Sequence, residues 1–181
     1  AILGDDTMDP SNGLLSLSCL KPTAAPPQSV FRVFSGLGGS RGWLYANILW
    51  RLRGLIDRAV GGVGLRRGRH DPDALSPGDH LDFWRVEAVE ANRCLRLRAE
   101  MRMPGAGWLQ MEARPQERGG TVLVLTAEFD PRGLAGLVYW YSLYPVHYMM
   151  FAGLALAITR QAEHSAGSAA ASSRLWTSPD A

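Results

Sequence analysis

Between Arg132 and Arg160 the chain runs from Leu134 to Ile158 without one Lys, Arg, Asp or Glu. By length that stretch qualifies as a membrane span, since about 20 apolar residues cross a bilayer. Three features argue otherwise. Pro145 stands in its middle, and a proline pushes the residue before it out of helical geometry. Tyr139, Tyr141, Ser142, Tyr144, His147 and Tyr148 carry polar groups that hydrocarbon would leave unsatisfied. Tyr and Trp also belong at the edges of a span, whereas here they fill its first half and centre. The stretch therefore reads as two pieces: a short aromatic segment, Gly133 to Leu143, then a helix opened by Pro145 at its first position and running to about Glu163. Met149, Phe151, Leu154, Leu156 and Ile158 leave that helix little polar surface, and a helix apolar nearly all round is buried. The rest of the chain must wrap it.

The remainder supplies the wrapping. Gly13 to Leu20 alternates as a strand, and Gln28 to Leu37 has helical spacing ended by Gly36, Gly38 and Gly39. Arg41 to Val60 is a second helical stretch, with an apolar stripe from Trp43 through Ile48, Leu52, Leu55 and Ile56 to Val60. Four strands follow: His80 to Val89, Arg93 to Met103, Trp108 to Ala113 and Thr121 to Phe129. In the second of these, Leu95, Leu97, Ala99, Met101 and Met103 face one way and Arg96, Arg98, Glu100 and Arg102 the other. That is a sheet with one covered and one wet face. Short turns between the strands imply an antiparallel meander. The predicted class is α+β, with a curved antiparallel sheet gripping one long C-terminal helix and a cavity between them. Residues 13–164 read as one domain, 1–12 as a disordered or extraneous N-terminus, and 165–181, rich in Ala and Ser, as a disordered tail.

The formal net charge of +2 argues against nucleic acid, which needs a dense basic face. Cys19 and Cys94 form no CxxC pair, and Ala1 to Pro10 lacks an apolar run, so a reduced, cytoplasmic protein is expected. The glycine-rich Gly61 to Arg69 fails as a P-loop for want of Lys-Ser or Lys-Thr, and follows a helix rather than a strand. It reads as a flexible turn. No metal site is expected, because His70, His80, His147 and His164 are scattered and show no HxxxH pattern. No Ser or Cys stands in a nucleophile elbow.

Several blocks together resemble one family: Gly38 to Trp43 (GGSRGW), Leu49 to Arg69, Gly78 to Glu87 (GDHLDFWRVE), Leu95 to Gly105 and Phe129 to His147. They are similar to an uncharacterised START-like (SRPBCC) domain of the helix-grip superfamily, often fused behind an NAD(P)-binding short-chain-dehydrogenase-like (SDR) domain. The resemblance covers about Phe31 to Glu163. It implies the helix-grip fold and a ligand cavity, and it carries no catalytic residue over. No nucleotide-binding domain precedes residue 27, so the domain is expected to be free-standing. Relatives of this superfamily include cofactor-free polyketide cyclases as well as passive carriers, and fold alone does not choose between them.

The candidate residues are therefore read from their chemistry. His147, the only histidine in an apolar segment, is either a general acid or base or a helix histidine bonded to a carbonyl. Asp82, if it faces inward beside Trp84, is a buried carboxylate available as a base; an ion pair with Arg53 or Arg58 is the simpler alternative. Tyr144 is the candidate phenol donor. Tyr139, Trp140, Tyr141, Tyr148, Trp84, Trp108, Met101, Met103 and Phe151 are candidate ligand-binding residues, with plain core packing as the alternative. Glu100 among its arginines reads as a charge ladder, and Asp57 as a salt bridge. The expected function is a cofactor-independent cyclase or isomerase acting on a hydrophobic polyketide-type intermediate. The alternative is a non-catalytic binder of lipophilic molecules, or an accessory to a separate SDR-type reductase. A homodimer is compatible with either.

Overall fold

In a computed structural model, residues 13–59, 61–62 and 75–175 are described. The elements in chain order are β1 (Leu15–Thr23), α1 (Pro27–Ser35), a short 3-10 turn (Gly39–Arg41), α2 (Asn47–Ala59), β2 (His80–Leu81), β3 (Trp84–Glu90), β4 (Cys94–Ala99), β5 (Gly105–Pro115), β6 (Thr121–Pro131) and α3 (Gly133–Leu175). The strands make one antiparallel sheet in the order β1-β6-β5-β4-β3-β2. The meander β2 to β6 is the expected one, and β1 returns to pair with β6 from Leu15↔Phe129 to Thr23↔Thr121. A register shift between Val86 and Ala88 interrupts the β3–β4 ladder. Such a bulge bends the strand and helps the sheet to curve.

The inner face carries Leu17, Leu95, Leu97, Leu109, Met111, Leu123 and Leu125, all fully buried. Helix α3 packs on this face against β1 and β6, with α1 beside it. Leu154, Ala155, Ile158 and Ala162 of α3 are buried to within a few per cent. Its later part is tied to the end of β1, where Thr23 Oγ1 and the Ala24 amide donate to Glu163 Oε1 at 2.7 and 3.3 Å. This is the helix-grip architecture. Although α3 is long and apolar enough to cross a bilayer, these contacts make it a core helix.

The outer face is wet and paired. Arg96 donates to Glu87, Gln110 and Glu128 at 2.8–2.9 Å. Glu100 accepts from Arg85 at 2.7 Å and lies 3.0 Å from His80 Nδ1. Its partners are thus on β2 and β3, and not the arginines of its own strand. Burial opposes its charge, but these bonds outweigh that and hold its carboxyl below the usual range.

Five expectations are corrected. Helix α3 does not divide at Pro145; it passes through it. The proline lies on an exposed face, where the Tyr141 carbonyl it leaves unpaired can turn to water, and packing of Trp140 and Phe151 on either side outweighs the local preference. The helix also continues past Glu163 to Leu175, where the sequence suggests a tail; alanine, plentiful there, is the best helix former. The part of α3 after Pro145 is not buried all round as expected, since Val146, Tyr148 and Met149 are exposed, and the aromatic segment before it also exposes Leu134, Val138 and Tyr141. Finally, α2 starts at Asn47 and not Arg41. Gly42, Leu44 and Ala46 have φ of 69°, 57° and 52°, which no helix accommodates. The apolar stripe expected to pack α2 is mostly on its solvent side. Residues 1–12 and most of Gly61 to Arg69 lie outside the described residues.

Candidate functional site

Three inward positions on neighbouring strands carry almost no side chain: Ala99 on β4, Gly107 on β5 and Ala127 on β6. Ala127 pairs with Leu17 and Leu109, both fully buried, so it faces the helix. Where those side chains stop short, sheet and helix separate around a cavity of about 220 Å³. A Cβ on Gly107 would meet the Met103 sulfur at 3.3 Å, so even one methyl there would press on the wall.

Around this gap the sheet adds Trp84 and Phe129, and the β4–β5 loop adds Met101 and Met103. Helix α3 supplies Tyr139, Trp140, Leu143, Val146, His147, Met150 and Phe151. Their spacing of three and four is one helix face, unbroken across Pro145. Helix α2 closes the remaining side with Leu49, Trp50, Leu52, Arg53 and Ile56. Phe129 stacks on Trp140 with ring centroids 5.6 Å apart, and His147 on Phe151 at 5.8 Å.

The walls are nearly all apolar, yet three buried polar atoms in residues that line the cavity have no hydrogen-bond partner among the described residues: Trp84 Nε1, Trp140 Nε1 and His147 Nδ1. A buried polar group left unsatisfied costs about 1–3 kcal/mol. Such groups on an apolar cavity are what a ligand oxygen would satisfy. Burial, reinforced by the Arg53 charge, lowers the His147 pKa to about 4. The imidazole is thus neutral at physiological pH, and Nδ1 donates or accepts according to its tautomer. Arg53 is itself held, donating to the Arg102 carbonyl at 2.9 Å.

Of the candidate residues, the structure gathers His147, Tyr139, Trp140, Trp84, Met101, Met103 and Phe151 at this cavity. It separates others. Asp82 is not on a strand but in the β2–β3 turn with φ of 56°, where its Oδ2 accepts from Trp43 Nε1 at 2.8 Å and the Gly39 amide at 3.4 Å. It is a structural anchor outside the cavity, bonded to Trp43 and Gly39 rather than in the expected pair with Arg53 or Arg58 among the described contacts. Tyr144 is turned edge-on to Trp140 and does not reach the cavity, and Tyr141 and Tyr148 point to solvent, because Pro145 does not reset the helix phase. Trp108 borders the cavity along β5, but its indole lies on the wet face, with Nε1 3.4 Å from Glu87 and the Arg96 guanidinium 5.8 Å from its ring centroid. Glu128 likewise spends its carboxylate on Arg96. Asp57, fully buried, accepts the Arg102 amide and lies 3.7 Å from Arg53, fastening α2 to the β4–β5 loop. Among the described residues no three His, Cys, Asp or Glu side chains sit together.

Sequence reasoning missed the α2 wall and the Ala99, Gly107 and Ala127 gap. The signal for the gap was present: small residues at inward positions of strands otherwise filled by Leu and Met.

Residues 17–154 match the model of a family described as a protein of unknown function, DUF2867. The chain belongs to that family. No curated protein matches it. Among solved structures it is similar to the di-domain ARO/CYC StfQ from the steffimycin biosynthetic pathway, at 13% identity and a TM-score of 0.51, over 87% of this chain and 53% of that one. It thus spans about half the length of that di-domain protein. It is also similar to a truncated norcoclaurine synthase from Thalictrum flavum, at 12% identity and a TM-score of 0.48 over 81% and 92%, and to Ara h 8.0201, at 10% and 0.45 over 83% and 98%. At 13% identity the likeness to StfQ speaks for the fold alone.

Proposed function

We propose that this DUF2867 member binds a hydrophobic, oxygen-bearing small molecule of the polyketide type in its cavity and promotes its cyclisation or a related isomerisation, without a cofactor. The observation that carries the reading is the trio of unpartnered buried nitrogens on otherwise apolar walls. Two indole N–H groups suit carbonyl oxygens, and they strengthen their bonds as an oxygen gains charge on enolisation. Neutral His147 takes the proton from the carbon between two carbonyls. The enolate carbon then attacks a second carbonyl of the same chain, and the proton returns to the new alkoxide. An imidazole of pKa about 4 is a weak base, so the step requires an acidic C–H. Most of the acceleration would come from holding a flexible chain folded. The similarity to StfQ, a di-domain ARO/CYC from the steffimycin biosynthetic pathway, is consistent with this reading.

The test is turnover of linear poly-β-carbonyl precursors by the purified protein. Trp140→Phe should slow the reaction by about tenfold, the worth of one hydrogen bond, and His147→Gln by more. If no precursor is cyclised faster than in buffer, and both variants leave product profiles in a producing cell unchanged, the reading fails. A second reading draws on the same geometry. Asp82 and Tyr144 lie elsewhere and the Glu128 carboxylate is spent on Arg96, so among the described residues His147 gains no acid partner from any of the three, and that suits a carrier or an accessory to a separate SDR-type reductase. A carrier would retain unaltered ligand in native mass spectrometry. An accessory would pull down a dehydrogenase and do nothing alone. Either role suits the cytoplasm.

A further inference from the structure

Helix α2 turns much of its apolar face outward. Trp50, Gly54 and Asp57 are its buried residues. Ile48 is 80% exposed and Leu55 65%, with Leu52 and Ile56 about half exposed. At 3.6 residues per turn these four lie on one arc, opposite Trp50 and Asp57. Arg51 and Arg58 flank the arc, and both are exposed. The single acid of α2, Asp57, is wholly buried against the Arg102 amide. The solvent side of the helix is thus aliphatic and cationic, with no anion. On the side of α3 turned away from the cavity, Val138, Tyr141, Tyr148 and Met149 are exposed in its charge-free half. Leu52, Ile56 and Val146 belong to both places: they line the cavity and they are exposed. An apolar surface therefore continues from the cavity to the outside.

We propose that α2 is an interfacial helix that docks the protein on an anionic lipid bilayer. Ile48, Leu52, Leu55 and Ile56 sink into the headgroup and acyl boundary, and Arg51 and Arg58 meet the phosphates. Aliphatic residues on one side with arginines at the edge are the composition such helices use, and the arginines can lay their stems on the apolar surface while their heads reach the phosphates. A second copy of the chain suits the patch less well. A two-fold pairing would bring arginines together with no acid on either α2 to meet them. One corollary rests on the cavity reading above: an apolar ligand moving between bilayer and cavity would stay in apolar surroundings. The docking itself does not rest on that reading.

The test is flotation of the full chain, without added ligand, with vesicles of phosphatidylcholine alone and of equal parts phosphatidylcholine and phosphatidylglycerol. The mixed vesicles should bind and the neutral ones bind at least about tenfold more weakly. Ile48→Ser combined with Leu55→Ser, at exposed positions that do not line the cavity, should keep the circular-dichroism melt and lose about tenfold or more in binding. Arg51→Gln and Arg58→Gln should each cost about fivefold on the mixed vesicles. The proposal fails if the wild-type chain stays off both vesicles, or if the double serine variant binds as the wild type does. It also fails if sedimentation shows a dimer that the serine variant breaks while vesicles never bind, because the patch then belongs to a second copy. Ligand retention, read separately by native mass spectrometry, keeps a failure of docking distinct from a failure of the cavity reading.

Discussion

Burial drives His147 toward its neutral form, and that has a consequence for stability. Its pKa falls to about 4 in the folded protein from an unfolded value of 6.5. Between those limits the unfolded chain binds the proton and the folded one does not, so stability rises with pH across that window. The contribution is fully present above pH 6.5 and is lost as the pH falls toward 4, by an amount on the order of 3 kcal/mol. Urea midpoints of the wild type should therefore drop over that interval, above the range in which carboxylates titrate, and those of His147→Gln should stay nearly flat. Equal slopes would show that His147 is not the group responsible. Asp82 offers a contrast at the same scale. It holds Trp43 Nε1 at 2.8 Å from a left-handed turn position. Asp82→Ala strands a buried indole N–H and should cost about 2–4 kcal/mol, while Asp82→Asn, which keeps an acceptor and tolerates that φ, should cost less than half as much. Neither should change ligand affinity; a loss of binding at full stability would return Asp82 to the site.

At the scale of elements, the legible parts were those in which a local pattern and the tertiary structure agree. Strict alternation gave a one-sided strand whose inner face carries Leu95 and Leu97 as expected, but the strand ends at Ala99, and Met101 and Met103 lie in the loop beyond it. The illegible parts were those in which long-range contacts overrule a local signal. Pro145 reads as a helix start, yet α3 runs through it because the helix face of Trp140, His147, Phe151 and Leu154 is one continuous stripe against the sheet. The stripe on α2 reads as a packing face, yet the buried residues are Trp50, Gly54 and Asp57, chosen by the Trp43 stack at 4.8 Å and the Arg102 amide. No periodicity of α2 alone reveals those partners. Two of the resembling blocks, GGSRGW and GDHLDFWRVE, meet in space through Trp43 and Asp82, so this contact gives both a structural task. Pro145→Ala is the test at this scale. It restores one backbone hydrogen bond in a helix that already has helical geometry there, and should raise stability by about 1–3 kcal/mol in chemical denaturation. A destabilised variant would mean that the proline sets a bend the sheet requires.

For the whole molecule, the cavity is a decision about volume. A sheet this apolar could close on α3 completely, as Leu17, Leu109 and Leu125 do elsewhere on the same face. It does not close where Ala99, Gly107 and Ala127 stand together. The sequence held that information, but only register tells which small residues are neighbours, and the antiparallel pairing that sets register is non-local. If the space exists for a ligand, filling it should help the fold and harm the function. Ala127→Leu adds three carbon atoms to an inward position that borders the gap, each worth about 0.8 kcal/mol once buried. The variant should melt at or above the wild-type temperature when empty. A bound ligand stabilises the wild type by mass action, so the wild-type melt should shift upward with a retained hydrophobe and the variant's should not. The opposite pattern, a variant that melts lower when empty and still responds to ligand, would mean that the gap has collapsed or relaxes around the new side chain. The ligand would then have to sit elsewhere.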